Sequence, residues 1–266
     1  MPCRYSNHWF RAGLNSQLVI TALANYPLVQ PGDDLFLQIQ KCLIDTAIQL
    51  CDGDILVLAQ KIVSKSEDRY ARLDGVIPST EAEVLAQEVD KDSRLVQLIL
   101  DESVEVVRKR PGVIIVEHRL GYVHANAGID RSNIESGNER VLLLPLDSDA
   151  SANILRDRFQ RELGVDVKII INDSAGRAWR NGTCGMAIGT AGFDPVDNLI
   201  GNKDLFGRVM EVSTVAVADE LAAGASFMMG QGDEATPVVH IRGAELTNSD
   251  GGSKGLIRDR EFDLFR

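Results

Sequence analysis

The chain has 266 residues, 44% of them hydrophobic and 25% charged, a globular balance with enough apolar material to bury a full core without staples. Its formal net charge of -11 argues against a nucleic-acid scaffold, yet it leaves room for a local cluster of cations around a small anionic ligand. No run of about 18 apolar residues occurs, so neither a transmembrane helix nor a membrane partner is expected and the protein is read as cytoplasmic.

Residues 1–25 read as a leader and a first strand, with Leu18 to Ala24 the apolar stretch of that strand. In "PGDDLFLQIQKCLIDTAIQL", Pro31-Gly32 is a turn and Asp33 or Asp34 a helix cap. Leu35, Ile39, Leu43, Ala47 and Ile48 then recur at helical spacing. "ILVLAQKIVSK" predicts a buried strand running into a polar loop. "STEAEVLAQEVDKDSRLVQLILDESVEVVRK" opens on a capping-box pattern, Thr80 to Glu83, and predicts two helices. "VIIVEH" and "RVLLLPL" read as strands on either side of the polar loop "YVHANAGIDRSNIESG". "DSDASANILRDRFQRELG" is a capped helix closed by Gly164. "VKIII" is a strand, followed from Asn172 by a stretch crowded with glycine and cations. "STVAVADELAAGASFMMGQG" predicts a helix loosening into a glycine-rich loop, "PVVHIRG" a late strand, and "NSDGGSKG" a flexible link to the tail. The irregular mixture points to α+β, with mixed or antiparallel sheets and flanking helices.

Three apolar strands are thus expected to end in polar loops, where sites are commonly built. The first carries Lys61, Ser64, Lys65, Glu67 and Arg69, the second Asp130, Ser132 and Asn133, the third Asp173, Ser174, Arg177 and Arg180. Two aspartates with a neighbouring hydroxyl suit magnesium or manganese bridging a phosphate; the same aspartates could instead cap helices or turns. The lysines and Arg69 could meet phosphates or form a solvated face. Arg177 and Arg180 around Trp179 could hold an anion or stack on the indole. "MGQGDEAT", Met229 to Thr236, could nest an anion or be an ordinary turn. The four histidines are dispersed and read as structural or surface residues. The four cysteines form no C-x-x-C pair and need no oxidising compartment. There is no Walker P-loop, no G-x-G-x-x-G after a strand and no catalytic triad pattern.

Joined in order, "PGDDL", "GDILVLAQKIVSKSEDR", "NAGIDRSN", "LLLPLDSDASANILR", "IINDSAGRAWRNGTCGMAIGTAG" and "PVVHIRG" resemble the coenzyme F420-0:L-glutamate ligase family over Tyr26 to Arg266. The resemblance implies a gamma-glutamyl ligase domain over 26–266, an intertwined homodimer, and no fused flavin reductase domain. It implies that GTP phosphorylates the terminal carboxylate of coenzyme F420-0, that L-glutamate attacks the acyl phosphate to form an amide (gamma-linked for further glutamates), and that GDP and phosphate leave. Asp130 and Asp173 would bind one or two Mg2+ or Mn2+ ions, with Ser174 and Gln231 as further ligands and K+ as an additional cation. Tyr26, Pro27, Leu28, Val29, Gln60, Lys61, Lys65, Asn133 and the loop Met229, Gly230, Gln231, Gly232, Asp233, Glu234, Ala235 and Thr236 would line the GTP site. Arg177 and Arg180 would meet substrate anions. Ser174 stands where the family more often has Thr, and Gln60-Lys61 where it has small hydroxyl residues. Rival readings are a same-fold ligase acting on another carboxylate, a metal-dependent phosphatase, and a non-catalytic nucleotide-binding partner.

Overall fold

The computed structural model describes residues 17–134 and 139–264. Residues 1–16 of the expected leader lie outside them, as do 135–138 of the expected loop before Arg140. In chain order the elements are β1 (Val19–Ala22), α1 (Leu35–Asp45), β2 (Ile55–Ala59), α2 (Gln60–Ser66), β3 (Tyr70–Arg72), α3 (Thr80–Val89), α4 (Ser93–Asp101), β4 (Ser103–Arg110), β5 (Val113–His118), β6 (Val123–Ala125), β7 (Arg140–Leu142), α5 (Ser148–Leu163), β8 (Lys168–Arg177), β9 (Arg180–Ala191), β10 (Asp197–Asn198), β11 (Thr214–Val215), α6 (Val217–Met229) and β12 (Val238–Arg242). The mixture is α+β, as expected, and no helix among the described residues is long and apolar enough to cross a membrane.

The main sheet has the order β1-β12-β2-β8-β9, antiparallel throughout except for the pair β2 and β8. Side chains alternate across a strand, so a strand covered on both faces must be apolar at every position. β2 meets this requirement. Ile55 and Val57 join α6 on one face, and Leu56 and Leu58 join α1 and α5 on the other. A second core lies between α3, α4 and the sheet β4-β5-β6.

Local chemistry sets the helix ends. Asp34 caps α1 by accepting from the Leu37 amide, and α1 stops at Asp45, short of Ala47 and Ile48. Asp147 caps α5, and Gly164 closes it in the left-handed region at φ 68°. α3 is capped by Ser79 rather than Thr80, one residue earlier than the capping-box pattern places it.

Several expectations are corrected. Lys61 and Lys65 lie on helix α2, which follows β2 without a loop. The stretch after Ile171 is no loop either, because β8 runs on to Arg177 and pairs with β9 as one long hairpin. Ser103–Arg110 leaves the second helix and forms β4. The expected polar loop begins as β6. The link before the tail is tied down, with the Ser253 amide donating to Asp149 and its hydroxyl to the Ile188 carbonyl.

Two buried features hold the main sheet. At the amino end of β2, Asp54 accepts from Arg242 at 2.8 and 2.6 Å and lies 2.9 Å from His240 Nε2. Burial opposes its charge, but the Arg242 and His240 hydrogen bonds overcome this and pull its pKa to about 2. That stability is fully present above the unfolded carboxylate pKa and is lost as pH falls through the folded value. Asp54→Asn should cost on the order of 2 kcal/mol at pH 7. Its deficit should shrink as pH drops from about 4 to about 2, and a pH-independent deficit in urea titrations would refute the pairing.

Gly185 is the second feature. A Cβ there would stand 2.4 Å from the Ala222 carbonyl oxygen, 2.5 Å from Asn172 Oδ1 and 2.6 Å from Ser226 Cβ. The missing side chain is what lets α6 lie on β9. Gly185→Ala should lower stability by roughly 1–3 kcal/mol; an unchanged urea midpoint would show that α6 moves aside freely.

Candidate functional site

β2 and β8 pair in parallel with Ala59 opposite Asn172, so Gln60 and Asp173 leave that register side by side. In open sheets, ligands gather beyond the carboxyl ends of parallel strands. A carboxylate pair assembles there. Asp130 is delivered by a bridge to Leu142, with both backbone bonds at 2.9 Å. The buried Gln60 amide donates to Asp130 Oδ2 at 2.9 Å and is itself oriented by the Ser64 hydroxyl. Lys61 Nζ lies 3.4 Å from the same oxygen and 3.1 Å from Ser132 Oγ.

Burial raises the pKa of Asp130. The Lys61 ammonium opposes the rise, whereas the Asp173 charge adds to it. Asp130 and Asp173 therefore share one electrostatic neighbourhood.

The rest of the site closes around this pair. Ser174 Oγ donates to Gln231 Oε1 at 2.8 Å, and Gln231 Nε2 donates to Ser226 Oγ at 3.1 Å. Lys65 Nζ donates to the Asn133 carbonyl at 2.9 Å, and Asn133 Nδ2 to the Gly232 carbonyl at 3.3 Å. Three separate segments thus meet: α2, the Asp130–Asn133 turn, and the loop after α6. Within that loop, Glu234 folds back onto the Gly232 amide at 2.8 Å, and Gly230, at φ 73°, has no room for a Cβ beside the Glu234 carboxylate. Thr236 Oγ1 donates to the Met229 carbonyl, and Met229 is buried. Asp233 and Ala235 are exposed.

The chain matches the F420-0:Gamma-glutamyl ligase family over residues 24–243. It is 46% identical over 242 residues to coenzyme F420:L-glutamate ligase of Methanothermobacter thermautotrophicus, covering 90% of this chain and 95% of the relative. It is 43% identical over 242 residues to the Methanopyrus kandleri protein of that name, with 90% and 93% covered. Against the Archaeoglobus fulgidus protein the figures are 40% over 240 residues, with 90% and 93% covered. The chain belongs to the F420-0:gamma-glutamyl ligase family. It is an enzyme of this ligase kind.

In this ligase-family chain the expected residues part company. Gln60, Lys61, Lys65, Asp130, Asn133, Asp173, Ser174, Gln231 and Gly232 come together. Tyr26 and Val29 go into the core, where the Tyr26 hydroxyl is buried without a hydrogen-bond partner among the described residues, while Pro27 and Leu28 are exposed. Arg177 and Arg180 face each other across the exposed tip of the β8–β9 hairpin, beside Trp179. By strand rise that tip is about 13 Å beyond Asp173. Arg69 is drawn off to Glu102 and the Leu144 carbonyl.

One residue of the site escaped the sequence reading. His124, taken there as structural or surface, is largely covered, with Nε2 3.0 Å from Asp173 Oδ2. Its only signal is its position six residues before Asp130 in "HANAGID", and no ligand spacing marks it.

Replacing Lys61 by Met removes the strongest effect holding the Asp130 pKa down. The Asp130 titration, followed by carboxylate carbon NMR of aspartate-labelled protein, should then move to higher pH. A midpoint that stays put would show that Lys61 is not its counter-ion.

Proposed function

We propose that the protein is a GTP- and divalent-metal-dependent ligase that joins L-glutamate to coenzyme F420-0 through an acyl phosphate. The observation that carries the reading is the meeting of Asp130, Asp173, Ser174 and Gln231 with Lys61 and Lys65 at one end of the parallel strand pair. The relatives' name, coenzyme F420:L-glutamate ligase, supports the choice of substrates.

The donors available at the site fit the proposed metal. Among the described residues, no cluster of three or more His, Cys, Asp or Glu forms a metal cage. The site instead offers two carboxylates, a hydroxyl and an amide oxygen, a set suited to Mg2+ or Mn2+ and not to thiolate-bound zinc. Asp130 and Asp173 would hold the ion, with Ser174 and Gln231 as further or second-site donors; K+ belongs to the proposal as an additional cation. When bound, the ion neutralises charge on the nucleotide phosphates.

A carboxylate is a poor electrophile until one of its oxygens can depart as phosphate. In the proposed reaction, a terminal carboxylate oxygen of the deazaflavin arm attacks the γ-phosphorus of GTP, and the bond to GDP breaks. The glutamate amine then attacks the acyl carbon, the carbon–oxygen bond to phosphate breaks, and the amine gives up a proton. Lys61 and Lys65, one helical turn apart on α2, supply positive charge to the phosphates. Asn133, the loop 229–236 and the exposed Pro27 and Leu28 line the nucleotide in this reading, with the buried Tyr26 and Val29 anchoring that segment in the core. Arg177 and Arg180 meet anionic groups of the substrate. Both steps depend chiefly on positioning. A homodimer belongs to the same proposal. Leu205, Phe206 and Val212, between β10 and β11, are 86 to 99% exposed, an apolar surface of the kind that stable interfaces cover.

The test is mass spectrometry of the deazaflavin after incubation with coenzyme F420-0, L-glutamate, GTP and Mn2+ or Mg2+, omitting each in turn. A glutamate-sized gain that needs every component is expected. GDP release without that gain would replace the reading with a phosphatase or a different acceptor. Asp130→Ala should reduce GDP release by roughly 10²-fold or more with the circular dichroism unchanged; wild-type turnover would sink the metal assignment.

A further inference from the structure

We infer that His124 is a positioning residue that holds the Asp173 carboxylate in the orientation in which it receives a divalent cation. The inference rests on the metal reading above and adds a residue that the reading does not contain.

The geometry is specific. His124 sits on β6, in a different sheet from Asp173, and the two side chains are only 9% and 12% exposed. Its Nδ1 lies 3.1 Å from the Ala125 carbonyl oxygen, which pins the ring, and its Nε2 faces Asp173 Oδ2 at 3.0 Å. The other carboxylate oxygen, Oδ1, accepts from the Ser174 amide at 2.8 Å. Each oxygen therefore has one fixed partner. A carboxylate offers about four acceptor sites, so this clamp sets its plane while leaving capacity for a cation. Asp130 is fixed in a parallel manner by Gln60 and Lys61.

Two partly buried carboxylates repel one another unless each is held and compensated. The compensation comes from two different elements, α2 for Asp130 and β6 for Asp173. Partners that orient metal ligands typically carry about 10–100-fold of metal affinity.

The test uses Mn2+ titration of the full, nucleotide-free protein, followed by electron paramagnetic resonance. Three variants are compared: His124→Asn, which stays polar but stops short of Asp173; His124→Gln, which can still reach it with an N–H; and Asp173→Asn. H124N should weaken Mn2+ binding by about tenfold, and H124Q should recover most of that loss. In turnover assays H124N should raise the apparent KM for Mn2+ while leaving the KM for L-glutamate near wild type, a split that general loosening of the fold would not produce.

H124N binding Mn2+ like wild type, while D173N does not, overturns this inference alone. H124Q losing as much as H124N also overturns it, because the reaching N–H would then be irrelevant. Wild type failing to bind Mn2+, or D173N binding it unchanged, overturns the metal reading and this inference together.

Discussion

The parallel pairing of β2 and β8 is the constraint on which the rest of the structure depends. It is the single parallel contact in a sheet that is otherwise antiparallel. With Ala59 opposite Asn172, one strand hands over to α2 while the other carries Asp173 and Ser174 onward. A slip of one residue would turn every side chain of β8 to the opposite face. Asp173 would then leave His124 and the Asp130 neighbourhood, and Ile170 would lose its place beside α6. The apolar faces on both sides of β2 thus enforce the same register that the polar site requires.

The polar ends of this layer have different characters. At the amino end of β2, Asp54 is closed off by Arg242 and His240, and its charge is favoured despite burial. At the carboxyl end, Asp130 has only Lys61 and Gln60 against both burial and Asp173, so its charge is disfavoured. The same compensation occurs at Glu102, where His118, Arg119 and Arg69 overcome burial and pull its pKa to about 2. Asp54 and Glu102, which serve the fold, are fully compensated, whereas Asp130 at the strand ends is left short of positive charge. A site short of cationic partners is electrostatically ready for a cation.

Much of the architecture was legible because its signals are local. Asp147 and Gly164 bracket α5, Asp34 caps α1, and the runs at Ile55 and Ile169 are too apolar to be anything but buried. The errors fall where non-local pairing decides. α2 begins at Gln60 after Ala59, with no side-chain cap to announce it, because the alanine at the cap position has no acceptor in its side chain. Residues 172 to 177 look like a loop by composition, yet they form strand because β9 lies alongside and its glycines fit under α5 and α6. The flexible link near Ser253 is ordered by the distant Asp149.

The same division governs the site. The sequence by itself determined which residues are on offer for chemistry: the aspartates Asp130 and Asp173, the hydroxyl of Ser174, the lysines Lys61 and Lys65 and the glutamine of a glycine-rich loop, because residue type and motif order are properties of the chain. Only the tertiary structure decided which of them meet. It seats Tyr26 and Val29 in the core, sends Arg69 to Glu102, leaves Arg177 and Arg180 at a hairpin tip, and brings His124 across from another sheet to Asp173. Such contacts span from 33 positions for Arg69 and Glu102 to 99 for Asn133 and Gly232, and loop closure over such spans leaves no local trace in the sequence.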